Sequence, residues 1–169
     1  ILWSDKILER LTLEIGSIKR KRGIAGGDVI FSKHRVQEPI LVKREPEFIS
    51  ALDQIFKVLD GYGVQAMICY GTLLGAIREN RFLPHDDDVD LLYVDGSRTR
   101  EMARENKKNL ITQLRRDGFE VWDTGENFHV SIGGASVDLF PCWQEGDRLS
   151  LMMEKFQYRD IQASLMIPS

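Results

Sequence analysis

The stretch that decides the fold of this protein is residues 64–94, VQAMICYGTLLGAIRENRFLPHDDDVDLLYV. Two short apolar runs, at 64–70 and 89–94, have the length of strands, and the glycines that bound the first indicate a buried strand. Between them lie a Gly-Thr pair, an apolar pattern with helical spacing at 72–80, and four aspartates in five positions. The order predicts a strand, a helix and a second strand that is entered through an acidic cluster.

The segment before this stretch predicts two amphipathic helices. Apolar residues recur at helical spacing over residues 5–21 and 47–60, and glycines follow both patterns. In the second helix we expect six side chains to face inward: Phe48, Ile49, Leu52, Ile55, Phe56 and Leu59. In the helix predicted at 72–80, three apolar side chains share one face: Leu73, Leu74 and Ile77. Residues 23–46 show no clear period and predict a connecting or wrapping segment.

The second half of the chain is dominated by strand patterns. They follow a charged helix predicted at 97–117, with Ser97 as its cap. The strand-like runs lie at 119–122, 128–132 and 136–140, and a final hairpin is expected from 148–153 and 156–161. Gly133-Gly134 is typical of a tight hairpin turn. The whole order predicts an α+β fold, a mixed β-sheet with helices packed mainly on one side.

The composition fits one globular domain. With 169 residues, 43% of them hydrophobic, the chain can bury a core without disulfides. Its net charge of −3 argues against a general nucleic-acid binder. Seven basic residues between Arg98 and Arg116 are interpreted either as the solvated face of a helix or as a basic flank for an anionic substrate.

The cysteines and the chain ends bear on where the protein works. Cys69 and Cys142 fit buried free thiols in a reducing compartment. No apolar run approaches the length of a membrane span, and no signal peptide is visible. Because the chain begins without Met, we expect it to be a piece of a longer protein.

The acidic cluster is the strongest candidate for a site. On a strand, residues two apart point to the same side, so Asp86, Asp88 and Asp90 are expected to project together while Asp87 and Val89 face the other way. Such carboxylates repel one another unless one keeps a proton or a cation neutralises them. Hard oxygen ligands suit Mg²⁺ or Mn²⁺. The alternatives are a surface acidic turn, a helix cap and a structural Ca²⁺ loop, and the EF-hand pattern is absent.

Two further features strengthen the metal hypothesis. Gly71 and Thr72 lie where the first strand gives way to a helix, a place where backbone amides hold phosphates; the alternative for Thr72 is a helix cap. Asp138 is the lone charge in the apolar run 136–140, where a carboxylate needs a partner, either an ion pair or a metal. A Gly-Thr turn, an Asp-x-Asp strand and a later strand Asp together resemble the arrangement of site residues in nucleotidyltransferases.

The residues GTLLGAIR at 71–78 and FLPHDDDVD at 82–90 resemble the LicD and fukutin-related group of the nucleotidyltransferase superfamily. The resemblance is close over 70–92, weaker at 137–141 and faint at 156–168. It implies a nucleotidyltransferase-like core at 47–169, preceded by an N-terminal helix and wrapping segment at 1–46. We expect the core to be truncated at its C-terminus, because the family continues beyond the equivalent of Pro168.

The resemblance also implies an activity, namely metal-dependent transfer of a phospho-alcohol, phosphocholine or a polyol phosphate, from a CDP-linked donor to a hydroxyl of a glycan or glycolipid acceptor. Mg²⁺ or Mn²⁺ is the implied cofactor, and the cytoplasm, or the Golgi lumen in a eukaryote, is the implied compartment. No nucleic acid is expected as a partner.

The same resemblance assigns roles to residues. Asp88, Asp90 and Asp138 are implied as metal ligands, and Asp86 assists as base, as ligand or not at all; Asp138 is the other candidate base. Arg78 lies within the motif and is interpreted either as a phosphate ligand, with Gly71 and Thr72, or as an exposed arginine near a helix end. The implied roles are catalytic for Asp86, Asp88, Asp90 and Asp138 and cofactor-binding for Gly71, Thr72 and Arg78.

Two histidines and two rival functions stay open at this point. His85 stands where the family usually has Trp and is interpreted as a ligand, a proton shuttle or a packing substitute, while His129 is interpreted as structural. One rival function is a nucleotidyltransferase-fold enzyme that transfers a nucleoside monophosphate. The other is a non-catalytic acceptor-binding domain of a polysaccharide-assembly protein.

Overall fold

The computed structural model describes residues 5–21, 23, 30–31 and 36–152. Within them the helices are α1 (Asp5–Lys21), α2 (Ile40–Lys43), α3 (Glu45–Gly61), α4 (Tyr70–Glu79) and α5 (Arg100–Arg116). The strands are β1 (Ile30–Phe31), β2 (Val36–Gln37), β3 (Gln65–Ile68), β4 (Asp90–Val94), β5 (Glu120–Asp123), β6 (Phe128–Ile132), β7 (Ala135–Glu145) and β8 (Arg148–Leu151). The fold is α+β, as predicted.

Six strands form one mixed sheet. Five follow the order β3-β4-β7-β6-β5, and β8 pairs with the second half of β7. Only β4 and β7 run parallel among these pairs, with Asp90 beside Asp138 at the first position of the ladder. Parallel pairing aligns the start of β4 with the first half of β7, which brings residues far apart in sequence to one end of the sheet.

The hairpin predicted between β6 and β7 is confirmed. The two strands pair antiparallel, and Gly133 and Gly134 in the turn have φ of 57° and 80°. That left-handed conformation is open to glycine without steric cost, and it suits a tight hairpin. β7 runs well beyond the predicted end at residue 140, because β4 supports it on one side and β8 takes over from β6 on the other.

The helices α3 and α5 pack on one face of the sheet, as predicted. Alternate residues of the central strands, such as Leu91, Tyr93 and Leu139, are fully buried against them. Burial of these apolar side chains supplies the main hydrophobic stabilisation of the fold. Leu41 of α2 joins the same core, so the predicted connecting segment contributes to packing through short elements of its own.

The opposite face carries the alternate residues of β4 and β7. Leu92, Val94 and Cys142 lie in a second apolar cluster together with Cys69. Both cysteines are free and buried, as predicted. Burial raises the pKa of the Cys69 thiol well above its usual range and that of Cys142 to about 12, so neither is a reactive thiolate at neutral pH.

The predicted inward face of α3 is wrong at one residue, and the apolar face of α4 is exposed. Ile49 of α3 is 54% exposed, while the other five predicted residues are buried or half-buried. Three apolar residues of α4 are exposed: Leu73, Leu74 and Ile77. The buried residues of α4 are instead Thr72 and Gly75. A Cβ on Gly75 would lie 2.6 Å from the carbonyl oxygen of Arg81, so α4 packs through small residues against the chain that folds back after it.

Two predictions about element ends are also corrected. α5 begins at Arg100, and Thr99 is its cap, with its hydroxyl accepting a 3.2 Å hydrogen bond from the Met102 N–H. Ser97, the predicted cap, is buried and bound to Asp95. β3 pairs only with β4 and is partly exposed, because it forms an edge of the sheet; the prediction of a buried strand is wrong.

The N-terminal predictions hold where the structure describes them. α1 covers the predicted residues 5–21, and Gly23 follows with φ of 66°. The strand predicted at 156–161 lies outside the described residues. Among the described helices, none has both the length and the apolar character needed to cross a membrane.

Candidate metal centre

The centre of the candidate site is the parallel pairing of β4 with β7. Asp90 and Asp138 occupy neighbouring positions in the ladder, and the Asp138 N–H donates a 2.7 Å hydrogen bond to the Val89 carbonyl. Both side chains alternate with Leu91 and Leu139, which face the helices, so they project to the opposite face of the sheet. Asp90 is only 5% exposed, and its carboxylate is thus largely withdrawn from water.

Asp88 completes a set of three carboxylates. Its side chain offers an oxygen that lies, with one oxygen each of Asp90 and Asp138, within a group whose members are all within 4.8 Å of one another. The three predicted metal ligands therefore lie close together, although Asp138 follows Asp90 by 48 positions in the sequence. Three hard, anionic oxygen donors at this spacing fit Mg²⁺ or Mn²⁺.

The predicted route to this arrangement is wrong in one respect. Asp86, Asp87 and Asp88 do not lie on a strand, because β4 begins at Asp90. β3 leaves the sheet after Ile68, which pairs with Leu91, and the chain then turns into α4. Residues before Asp90 consequently lack a neighbour on that side with which to form a ladder.

Asp87 differs most from the prediction. It was expected to face away from Asp86 and Asp88, yet the three carboxylates form a second group within 4.8 Å. Alternation of sides applies only to extended strands, and these residues precede the strand. The acidic cluster thus offers four carboxylates, those of Asp86, Asp87, Asp88 and Asp90, to one region. Val89 does face the core, as predicted.

Thr72 joins α4 to the start of β4. Its hydroxyl accepts a 2.9 Å hydrogen bond from the Asp90 N–H, and the side chain is 4% exposed. The alternative interpretation as a helix cap is wrong, because α4 begins at Tyr70 and Cys69 holds the cap position. Thr72 fixes the backbone of a candidate ligand, while its predicted contact with phosphate stays a prediction.

Gly71 is required by Asp86. A Cβ on Gly71 would lie 2.0 Å from the Asp86 Oδ2 atom, so any side chain at position 71 would displace the carboxyl group. That Oδ2 atom is buried and has no hydrogen-bond partner among the described residues. An unpaired buried oxygen is costly, and a bound cation or a proton would satisfy it.

The electrostatics of Asp86 support the need for a proton or a cation. Burial, and then the neighbouring Asp88 carboxyl, raise the pKa of Asp86 to about 6, although a hydrogen bond from the Asp87 N–H opposes the shift. Carboxylate oxygens within 4.8 Å of one another repel, which disfavours full ionisation of Asp86, Asp87 and Asp88. A divalent cation would remove that penalty, and the donor set therefore fits the metal that the sequence implies.

His129 contacts the metal candidate Asp138 directly. It lies opposite Asp138 in the β6–β7 ladder, and its Nδ1 atom is hydrogen-bonded to Asp138 Oδ1. A hydrogen-bond partner of this kind fixes the orientation of a carboxylate. The interpretation of His129 as structural therefore needs a refinement, because the contact places it next to the candidate site.

Arg78 and His85 lie apart from these contacts. Arg78 is exposed in the last turn of α4, about 10 Å along the helix axis from Gly71 at ~1.5 Å per residue. Its phosphate contact stays a prediction. The His85 side chain is exposed, so it does not fill core space as a substitute for Trp.

A cleft of about 590 Å³ opens beside the carboxylates. Its described lining comprises Ile40, Arg44, Phe48, Asp87, Asp88, His129, Gly134, Ser136 and Asp138. The size is within the range of sites that bind small ligands. Sequence reasoning missed Arg44 and Asp87 in this cleft; no local pattern marks Arg44, which comes from the turn between α2 and α3.

A known protein family matches the part of the chain that carries the candidate site. The family model described as "LicD/FKTN/FKRP, nucleotidyltransferase domain" matches residues 63–168, which include every aspartate of the site. A comparison with curated proteins found no match. Membership of this family indicates a transferase with a phosphotransferase-like role in glycan modification. Because the match covers more than half of its length, the chain belongs to the LicD/FKTN/FKRP nucleotidyltransferase-domain family.

Proposed function

We propose that this protein is a metal-dependent phosphotransferase. It moves a phospho-alcohol, of the phosphocholine or polyol-phosphate type, from a CDP-linked donor to a hydroxyl of a glycan or glycolipid. The observation that supports the proposal is the meeting of Asp88, Asp90 and Asp138 beside an open cleft, in a chain of the LicD/FKTN/FKRP family.

The proposed reaction is a single displacement at phosphorus. The acceptor oxygen forms a bond to the phosphorus that carries the alcohol, the bond from that phosphorus to the bridging oxygen breaks, and CMP leaves. The acceptor proton passes to a carboxylate. Phosphoryl transfer needs little covalent chemistry from the protein, so positioning and charge stabilisation carry the catalysis.

The geometry supports the roles that we propose for the chain's residues. Asp88, Asp90 and Asp138 hold Mg²⁺ or Mn²⁺, which supplies neutralisation of charge on the phosphates when bound. Asp86 and Asp138 are the two candidate bases. Asp86 is favoured by its raised pKa, because a base works best when its pKa lies near the working pH. Asp138 is instead hydrogen-bonded to His129.

The start of α4 is the proposed phosphate side of the site. Gly71 and Thr72 lie in its first turn, where backbone N–H groups favour anions. Gly71 also contacts Asp86, so the donor phosphates and the acidic cluster would share one border. Arg78 is proposed as a more distant contact, at the far end of the same helix.

Nucleotide release tests the proposal. We expect the full chain with Mg²⁺ to release CMP from at least one CDP-linked alcohol, such as CDP-choline or CDP-ribitol, and EDTA to stop the release. Adding a sugar acceptor should raise the rate, since water is a poorly positioned substitute for the acceptor hydroxyl. Absence of CMP release across the donor panel, with a folded protein and Mg²⁺, would contradict the proposal.

A second candidate is transfer of a nucleoside monophosphate from a nucleoside triphosphate. This candidate is supported by the description of the matched family as a nucleotidyltransferase domain. Here the attack is at the α-phosphorus and pyrophosphate leaves, so release of pyrophosphate rather than CMP would identify this reaction. A non-catalytic acceptor-binding domain would release neither, and the retained repulsive carboxylates argue against it.

A further inference from the structure

Arg44 brings the opposite charge to an acidic cleft. Among the described residues that line it, Arg44 is the only lysine or arginine, and it shares the lining with Asp87, Asp88 and Asp138. The family match begins at residue 63, so Arg44 lies outside the matched region. A positively charged guanidinium group thus lies in the same cleft as three carboxylates.

The backbone of Arg44 is held in place by two helices. It ends α2, where its N–H donates a 2.9 Å hydrogen bond to the Ile40 carbonyl, and it precedes α3, whose Glu47 and Phe48 N–H groups donate to its carbonyl at 3.0 and 3.2 Å. A residue that belongs to two helix ends has little backbone freedom. The side chain therefore starts from a fixed point at the border of the cleft.

The side chain is also partly positioned. Its Cζ atom lies 5.9 Å from the centre of the Phe48 ring, a cation–π distance, and its Nε atom lies 3.6 Å from Glu47 Oε1. The Glu47 contact is the only ion pair of Arg44 among the described residues, and it uses Nε. The two terminal amino groups make no hydrogen bond to any described side chain or backbone group.

The surroundings leave room for a ligand. One terminal nitrogen of Arg44 lies 3.7 Å from the place where Gly134 would carry a Cβ, so the hairpin turn approaches the guanidinium without blocking it. The Arg44 side chain is 37% exposed. A positioned guanidinium with two available amino groups matches the two oxygens of a phosphate.

We infer that Arg44 binds a phosphate group of the donor at the end of the cleft formed by the α2–α3 turn and the β6–β7 turn. The inference rests on the proposed function and extends the site beyond the family-matched residues. The guanidinium group of Arg44 would bind a phosphate monoanion or dianion through two parallel hydrogen bonds. Arg44 is a binding residue for the substrate in this assignment, and it takes no part in proton transfer.

Binding of inorganic pyrophosphate tests the inference without turnover. The full chain is titrated with pyrophosphate in a calorimeter in the presence of Mg²⁺. We expect Arg44→Gln to weaken binding by about 10- to 100-fold, because charge-assisted hydrogen bonds are the strong ones. Arg44→Lys keeps the charge but loses the fork, and an intermediate loss is expected. Arg104→Gln is the matched control, since Arg104 is exposed on α5 and does not line the cleft.

The outcomes separate this inference from the proposed function. Unchanged pyrophosphate affinity in Arg44→Gln, no pyrophosphate binding by the unmodified protein, or an equal loss in Arg104→Gln would each overturn it. Arg44→Lys retains the long stem over Phe48, so it answers the question if Arg44→Gln does not fold. Pyrophosphate binding that depends on Arg44, without CMP release from any donor, would support the inference and contradict the proposed function.

Steady-state kinetics then assign the phosphate to the donor or to the acceptor. We expect Arg44→Gln to raise KM for the CDP-linked donor by about 10-fold or more and to leave KM for the acceptor unchanged. A rise in KM for the acceptor alone would overturn the assignment to the donor. A purely structural role would lower the melting temperature without this split between the two KM values.

Discussion

At the scale of single residues, Asp90 combines three properties that a ligand needs. It is nearly inaccessible to water, its N–H is held by Thr72, and its ladder partner is another candidate ligand, Asp138. A buried carboxylate beside other carboxylates is unfavourable for folding unless a hydrogen bond, an opposite charge or a proton compensates it. Burial of apolar side chains in the core on the other face of the sheet offsets the unfavourable contribution of the site to folding.

Replacement of Asp90 by Asn tests the ligand role. We expect Asp90→Asn to lower Mg²⁺-dependent turnover by more than about 100-fold. Mutation of a residue that only hydrogen-bonds to a metal ligand already lowers metal affinity or activity by about 10- to 100-fold. The folded state should be kept, because the amide has the same shape and removes one of several repelling charges. Turnover is measured as CMP release, and folding by circular dichroism.

Asp147→Asn is the matched control for this experiment. Asp147 lies in the turn between β7 and β8, and its side chain is 82% exposed. We expect it to leave turnover unchanged. Retention of full turnover in both Asp90→Asn and Asp88→Asn would remove the metal site from the proposal.

At the scale of elements, the contact between α4 and β4 determines where the acidic cluster lies. α4 packs through Thr72 and Gly75 and not through its longer apolar side chains. β3 ends at Ile68, opposite Leu91, so on that side of β4 the Thr72 hydroxyl accepts the hydrogen bond from the Asp90 N–H. One hydroxyl thereby joins a helix to the strand that carries a candidate ligand.

Removal of that hydroxyl should loosen the start of β4. Thr72→Val has nearly the same shape but leaves the buried Asp90 N–H without its acceptor, so we expect the free energy of unfolding to fall by about 1–3 kcal/mol. Turnover should fall as well, since a ligand is less well positioned. The measurements are urea denaturation and CMP release.

Thr72→Ser separates the hydroxyl from the methyl group. It keeps the acceptor and removes one methyl, and we expect a loss of stability smaller than that of Thr72→Val. Equal losses in the two variants would show that apolar packing of Thr72, and not its hydrogen bond, stabilises the junction.

At the scale of the whole molecule, the acidic cluster makes stability depend on pH when no metal is bound. The pKa of Asp86 is about 6 in the folded state against a reference of 3.8, so between these values the folded state binds more protons than the unfolded state. The free energy of unfolding therefore falls as pH rises through this window. Asp123 has the opposite effect, because its hydrogen bond to Lys107 outweighs burial and lowers its pKa. Its contribution to the free energy of unfolding is lost as pH falls below 3.8.

The size of this effect is measurable. A shift from 3.8 to about 6 would correspond to roughly 3 kcal/mol without screening. Because the Asp86 side chain is only half-buried, we expect a loss of about 1–2 kcal/mol between pH 4 and 7. Urea denaturation in EDTA at a series of pH values measures it.

Asp86→Asn and Mg²⁺ provide the comparisons. Asp86→Asn removes the titrating group, so the fall should be largely absent, whereas Asp147→Asn should keep it. Mg²⁺ should raise stability more at pH 7 than at pH 4, because it competes with protons for the same oxygens. An unaltered pH profile in Asp86→Asn would show that another group causes the dependence.

The sequence by itself determined the class of the fold and most of its elements. Apolar residues at helical spacing predicted the helices α1 and α3, and Gly133-Gly134 predicted the β6–β7 hairpin. Both signals depend only on residues close in sequence. The acidic residues of the site were visible for the same reason, because Asp86, Asp88 and Asp90 are close in sequence. The sequence did not show that the shared face of Leu73, Leu74 and Ile77 is exposed, since an apolar pattern does not say whether a neighbouring element covers it.

Only the tertiary structure decided how the site is assembled. The meeting of Asp90 with Asp138 depends on the register of a parallel pair, and the contact of Asp86 with Gly71 depends on how the chain folds back after α4. The place of Arg44 in the cleft depends on how α2 and α3 dock at the end of the sheet. These contacts join distant parts of the chain, and their free energy comes from packing of the whole core, which local sequence patterns do not encode.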